Sequence, residues 1–307
     1  MRLSEEGYRT MKPKVLFIGG GRRKELAKKF IERGFDVFSY EVDQYCPISK
    51  VANIIHGVKW KNDQIINDIE ENIKKYKIDI SIPLQDEAIF ACSEVSNIIC
   101  SFRESANICF DKIAFENFML SDQILKQYYP FLGEDKHNVI KKYRYGYGSK
   151  NIYKINKLTE EKDGDFVYQK IIEGTEYTVD CYFDKNNKFF KGISRTRERV
   201  ADGEVIDSRI KINTPLIETS KLIGEKLKLK GPICMQYIIS NQDSRPYLFE
   251  INARFGGGSS FSIEAGLDMI DMIKKEYITN ESILSENYPL KEIALRRSLE
   301  DNYFNIN

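Results

Sequence analysis

Apolar residues in this chain recur with two periods, and the first hundred residues alternate between them. Val15–Ile18 is a short apolar run that ends in Gly19-Gly20-Gly21, the form of a strand entering a turn. Leu26, Ala27, Phe30 and Ile31 follow at helical spacing, and Gly34 stands where a helix would end. Asp36–Tyr40 predicts a second strand, Asp63–Lys75 a helix and Ile78–Pro83 a third strand, and a helical pattern resumes from Asp86. Strands alternating with helices predict an α/β unit whose parallel sheet is covered by helices. Ser105–Tyr129 predicts one helix, with Asp111-Lys112 near its start and Phe115, Phe118 and Met119 on its core face.

After Pro130 the pattern changes to short strands at 139–142, 151–155 and 166–172, which predict a small antiparallel sheet. Strands at 176–183 and 188–195 and a helix over Thr219–Leu227 follow, with Gly231-Pro232 marking its end. The segment 169–180 reads as a strand, a glycine turn and another strand, an acidic hairpin. Pro232–Ile239 and Tyr247–Ala253 predict two strands joined by the turn formers Ser240–Pro246. A hairpin centred near Asp243 puts Gln236 opposite Glu250, and a slip of one residue would turn Gln236 to the other face.

The second of those strands carries the chain's most specific chemistry. Period-two alternation places Glu250, Asn252 and Arg254 on one face and Phe249, Ile251 and Ala253 on the other, before Gly256-Gly257-Gly258. Carboxylate and amide oxygens are hard ligands that suit Mg²⁺, and a guanidinium pairs with phosphate. The alternative is a half-buried strand with a solvated polar face.

Composition narrows the field. The 307 residues carry a formal net charge of +1, 42% hydrophobic and 30% charged residues, which fits a folded soluble protein and gives no support for a nucleic-acid or membrane partner. Cys46, Cys92, Cys100, Cys109, Cys181 and Cys234 contain no C-x-x-C pair and read as reduced thiols of a cytoplasmic protein. His56 and His137 are the only histidines, which disfavours a His-rich zinc site or a Ser-His-Asp triad. Met1–Thr10 is polar and lacks an apolar signal core, so it is expected to be a tail rather than a secretory signal. The glycines at 19–21 suggest a dinucleotide fingerprint, but its third glycine would fall at Lys24, so a tight turn is the expected role.

Two further segments are candidate nucleotide contacts. Gly146, Gly148 and Ser149 form a loop that can close over phosphates, with Lys142 supplying charge; the alternative is a flexible hairpin. Backbone groups near Lys170 and Ile172 can read an adenine edge, and Glu176 can accept from ribose hydroxyls.

In order along the chain stand Ile82-Pro83 with Asp86, Asp111-Lys112, Lys142 with Gly146-x-Gly148-Ser149, and Gln169 with Gly174-x-Glu176. Gly231-Pro232 with Gln236 and then Glu250–Gly257 complete the series. This ordered set resembles an ATP-grasp enzyme, close to the synthetase halves of the carbamoyl-phosphate synthetase large subunit, and covers nearly the whole chain from Met11. The resemblance implies a Rossmann-like pre-ATP-grasp α/β domain (11–104), a central region with an ATP lid (105–172) and an α+β C-terminal domain with the metal site (173–307). It implies that Lys112, Lys142, Gly146, Gly148 and Ser149 meet ATP phosphates, that Gln169, Lys170, Ile172 and Glu176 line the nucleoside, and that Gln236, Glu250 and Asn252 hold Mg²⁺, or Mn²⁺ in its place. Arg254, with Lys142, would act on the transferred phosphate. Two departures, Tyr143 where the family has proline and Asn151 where glycine is common, bear on lid geometry, and Lys141 is the fallback for Lys142.

The implied chemistry is carboxylate activation: γ-phosphate passes to a carboxylate, and an amine displaces phosphate from the acyl phosphate. Arg195, Arg197 and Arg199, followed by Asp202-Gly203-Glu204, resemble the segment beside the acceptor site and could hold an anion or form a solvated charged strand. A carboxylate–amine ligase with small-molecule substrates is expected, with a homodimer open. A phosphotransferase, a non-catalytic ATP-binding protein and a nicotinamide oxidoreductase are the alternatives.

Overall fold

The computed structural model describes residues 12–134, 136–146, 152–159, 163–201, 203–298 and 300–304. Strand β1 (Lys14–Ile18) is apolar on both faces because both are covered. Val15 and Phe17 pack with Leu26, Ala27 and Phe30 of helix α1 (Lys24–Glu32), whereas Leu16 and Ile18 pack with the opposite layer. Strands β2 (Asp36–Glu41), β3 (Asn53–His56) and, after helix α2 (Ile65–Tyr76), β4 (Ile80–Pro83) complete a parallel sheet in the order β3-β2-β1-β4. Ile65, Ile69 and Ile73 of α2 and Ala88 and Cys92 of helix α3 (Asp86–Cys92) cover that opposite face. Strand β3, absent from the sequence expectation, is a four-residue edge strand with exposed polar ends, too short to show a period.

The predicted helix over 105–129 is divided. Asp111 leaves helical geometry between α4 (Arg103–Phe110) and α5 (Lys112–Ser121), and its carboxylate accepts from the Ile113 and Ala114 N–H groups as an N-cap. Asp122 likewise accepts from Ile124 and Leu125 at the start of a short 3₁₀ turn.

Strands β5 (His137–Tyr143), β6 (Ile152–Lys157) and β7 (Phe166–Lys170) form the expected antiparallel sheet, ordered β6-β5-β7 over a small core of Leu132, Val139, Leu158 and Tyr168. Strand β8 (Gly174–Phe183) leaves that sheet for another, so 169–180 is not a hairpin. Gly174 permits the departure: a Cβ there would lie 2.0 Å from the Ile239 carbonyl oxygen of the new neighbour strand.

Strand β9 (Phe189–Thr196), short strands β10 (Arg199–Ala201) and β11 (Glu204–Arg209), and helix α6 (Thr214–Lys226) follow. Asn213 caps α6, and Pro215 sits in its first turn, so the helix starts five residues before the sequence expectation. Strands β12 (Gly231–Ser240) and β13 (Pro246–Asn252) complete an antiparallel sheet ordered β13-β12-β8-β9. Val179, Cys181, Ile233, Met235, Leu248 and Ile251 on one face pack with Phe115, Met119, Leu216 and Ile223. The alternate residues, Glu176, Thr178, Asp180, Gln236 and Glu250 among them, are turned the other way. Helices α7 (Ser259–Glu264) and α8 (Met269–Lys274) pack beside α1, and strand β14 (Ala294–Arg296) pairs with β11.

Candidate nucleotide and acceptor site

Gln236 stands directly opposite Glu250 in the β12–β13 register, as the sequence predicts. The register shifts at the next step, where Tyr237 faces Leu248, so Phe249 is the extra residue of a β-bulge. This corrects one expectation. Phe249 does not share the core face with Ile251; it joins Glu250 and Tyr247 in lining a cleft between this sheet and the β6-β5-β7 sheet. The alternation 250, 252, 254 therefore holds only beyond the bulge.

The cleft brings together Lys112, Lys142, Gly146, Gln169, Lys170, Ile172, Glu176, Arg197, Gln236 and Glu250. Lys142 is buried, its Nζ lies 4.9 Å from the centre of the Phe249 ring, and burial pulls its pKa down to about 8, partly offset by Glu250. Lys112 donates from Nζ to the Gly146 carbonyl at 2.9 Å, and Arg144 and Tyr145 both bond the Asp111 carboxylate, which ties the start of the 144–146 loop to α5. Gln169 is buried and donates to the Tyr129 hydroxyl at 2.8 Å. The Lys170 N–H is taken by the Pro130 carbonyl, and Glu176 is ion-paired with Arg197 at 3.2 Å.

Arg254 and Asn252 lie beyond the pair Gln236–Glu250. Arg254 forms a two-point ion pair with Asp86 of α3, at 2.9 and 2.7 Å, and its Nη2 also donates to Asn252 Oδ1 at 2.8 Å. Asn252 is buried with one oxygen lone pair so engaged, and it does not line the cleft. Asp86 was legible as part of the sequence series but not as the partner that orients Arg254.

The three arginines of 195–199 part company. Arg197 enters the cleft, and Arg199 is exposed beside Asp207. Arg195 is buried beneath the 256–258 loop, its Nε bonded to Asp180 at 2.8 Å. Asp180 also accepts from Ser259 and Ser262. Arg195 is thus part of a core polar network and neither an exposed anion contact nor a solvated strand residue. The loop's glycines follow from this packing: a Cβ on Gly258 would lie 2.7 Å from the Arg195 guanidinium carbon, and one on Gly257 would lie 1.8 Å from Glu204 Oε2.

The N-terminal glycine run also serves the protein's own side chains. Glu41, buried and held above the usual carboxylate range by desolvation, accepts from the N–H groups of Gly20 and Gly21 and from Ser39 Oγ. A dinucleotide pyrophosphate would need those donors.

Ile140 and Ile238 complete the apolar part of the cleft. Each lies two residues from a chosen residue, Lys142 or Gln236, and the same period-two rule would have named them. Gly148, Ser149, Asn151 and Asp202 lie outside the described residues. Among the described residues no group of three or more His, Cys, Asp or Glu side chains is placed to hold a metal ion. No helix among them is long and apolar enough to cross a membrane.

A family model described as "ATP-grasp in the biosynthetic pathway with Ter operon" matches residues 162–295. No curated protein matches the sequence. An ADP complex of N5-carboxyaminoimidazole ribonucleotide synthetase superposes with a TM-score of 0.70 at 14% identity, over 92% of this chain and 81% of that one. An L-amino acid ligase from Bacillus licheniformis gives 0.66 at 15% identity, over 93% and 79%. A pyruvate carboxylase from Rhizobium etli gives 0.65 at 15% identity, over 84% of this chain but only 28% of that enzyme's length. The chain has the ATP-grasp fold, an N-terminal α/β unit followed by an α+β region. The shared feature is this general fold rather than the narrower carbamoyl-phosphate synthetase type.

Proposed function

We propose that the protein is an ATP- and Mg²⁺-dependent ligase that phosphorylates a carboxylate and transfers the acyl group to an amine. One observation carries the reading. Gln236 and Glu250 are registered opposite each other on the wall of a cleft whose other walls hold Lys112 and Lys142. Hard oxygen donors facing one buried and one half-buried ammonium group suit a metal–triphosphate complex. Bound Mg²⁺ supplies charge neutralisation of the triphosphate and polarisation of its γ-phosphate. Glu250 and Gln236 fit as its ligands, and Asn252 has one oxygen lone pair left after bonding Arg254.

The remaining roles belong to the chain's own side chains. Ile140 and Ile238 sandwich the base, which the Ile172 N–H and the Lys170 carbonyl read, and Glu176 receives the ribose. Lys112 and Lys142 meet phosphate oxygens. Arg254, fixed by Asp86, is aimed before reaction at the oxygens that gain charge during transfer. Gly148 and Ser149 are proposed as lid contacts. The occupation of the Gly20 and Gly21 donors by Glu41 supports ATP over a dinucleotide. The L-amino acid ligase among the structural neighbours agrees with the ligase reading.

A screen of ADP release with acids and amines varied independently tests it. The expected result is ADP formation that needs both an acid and an amine. ADP formation with a stable phosphorylated product, unaffected by any amine, would replace the ligase with a phosphotransferase.

A further inference from the structure

Outside the cleft lining, on the far side of Arg254 from Glu250, three guanidiniums face two carboxylates. Arg23, in the turn after the N-terminal glycines, donates from Nη1 to Glu204 Oε1 at 3.0 Å. Arg297, one residue past β14, has Nη1 3.5 Å from Glu204 Oε2 and donates from Nη2 to the Gly257 carbonyl at 2.9 Å. Arg254 completes the group, with its charge matched by Asp86. Burial and the repulsion of Arg254 and Arg297 lower the pKa of Arg23, and the arginines hold Glu204 below the usual carboxylate range. Crowding like charges is costly unless an opposite charge relieves it. Among the described residues Glu204 alone serves both Arg23 and Arg297, and the absence of a side chain on Gly257 lets it reach them.

The group is also accessible. The side chains of Arg23, Glu204 and Arg297 are 17%, 31% and 30% exposed, unlike the buried Arg195. They come from three separated parts of the chain and meet at the Glu204 carboxylate, beside the Gly257 backbone that Arg297 also bonds, on the side where Arg254 would meet the acceptor. We infer that Arg23 and Arg297 form a subsite for a second anionic group of the acceptor, so that the activated acid also carries another carboxylate or a phosphate. This rests on the ligase reading above.

Calorimetry on the full chain tests it, with glutarate, phosphoglycolate and butyrate as probes in the presence of MgADP. Glutarate or phosphoglycolate should bind at least about tenfold more tightly than butyrate, since a charge-assisted pair is at stake. A preference for glutarate assigns a dicarboxylate, and one for phosphoglycolate assigns a phosphorylated acid. Arg23→Gln and Arg297→Gln should abolish the preference with MgADP affinity unchanged, and Arg23→Lys and Arg297→Lys should retain part of it. Equal binding of butyrate and both dianions, or a preference that survives both glutamine variants, would overturn the inference. Failure of the wild-type protein to bind MgADP would instead overturn the nucleotide reading, and the three anions titrated alone would still test the subsite.

Discussion

The cleft and the region beyond Arg254 handle positive charge differently. In the cleft, Lys142 is buried against Phe249, and desolvation has already pulled its pKa down to about 8. Beyond it each arginine has a carboxylate: Arg254 has Asp86, Arg23 and Arg297 share Glu204, and the buried Arg195 has Asp180. A lysine is a compact, flexible charge whose pKa moves, whereas an arginine keeps its charge and presents a fixed fork. Under the proposed function, the lysine end would complete its protonation when phosphate binds, whereas the arginine end is set in position beforehand.

The sharpest break in this comparison lies where the two ends meet. Glu250→Gln removes the one carboxylate facing Gln236, and ADP release should fall by about a thousandfold. Its melting temperature should stay near that of the wild type, because Glu250 lines an open cleft rather than the core. Substantial turnover in a folded variant would remove Glu250 from the metal assignment.

Asp86→Ala should have the next largest effect. Arg254 would lose its two-point partner, and turnover should drop by about a hundredfold through misplacement. Stability should fall by about 3 kcal/mol, because a largely buried guanidinium would be left with only Asn252 and a carbonyl. Asp86→Asn, which keeps part of the geometry, should fall between. Denaturant melts and kcat measured together check both values, and wild-type values for either would show that Arg254 does not depend on Asp86.

Lys142 gives a pH signature. MgADP affinity should weaken by about tenfold between pH 7 and 9 as the ammonium is lost, and binding near pH 8 should take up a proton. Lys142→Arg should flatten the profile. The stability sign is opposite: between about pH 8 and the ordinary lysine value near 10.4 the unfolded chain binds more protons, so folding stability rises with pH in that window. Calorimetry in buffers of different ionisation heat reads the proton uptake directly.

The smallest effect is expected at Gly258. A Cβ there meets the Arg195 guanidinium at 2.7 Å, and Gly258→Ala should cost about 1–3 kcal/mol with turnover reduced only modestly. A neutral melting temperature would mean that Arg195 can yield.

These same residues show what sequence can carry. The turn formers made the hairpin legible, but Gln236 meets Glu250 only because the bulge at Phe249 shifts the register by one; the regular pairing nearer the turn would have set Gln236 opposite Phe249. The bulge itself was not legible, because it adds one residue without any mark in an apolar–polar pattern. Arg195 and Arg197 look alike at period two, yet one is core and the other lines the cleft. What separates them is Asp180, Ser259 and Ser262, distant in sequence and joined only by packing. The glycine run at 19–21 read as a tight turn and that at 256–258 as a loop after a strand. The partners were Glu41 in one case and Arg195 with Glu204 in the other, and period alone could not name them. The break at Asp111 was present in the sequence as a capping residue inside a long helical pattern, but the uninterrupted apolar spacing hid it.

The central claim is transfer of phosphate to a carboxylate, and oxygen labelling tests it most directly. An acid identified by the ADP-release screen, labelled with ¹⁸O in its carboxyl group, is turned over with ATP and its amine, and the released phosphate is analysed by mass. Passage through an acyl phosphate predicts one ¹⁸O in each inorganic phosphate, formed in equal amounts with ADP and amide. Unlabelled phosphate, or AMP with pyrophosphate in place of ADP, would contradict it.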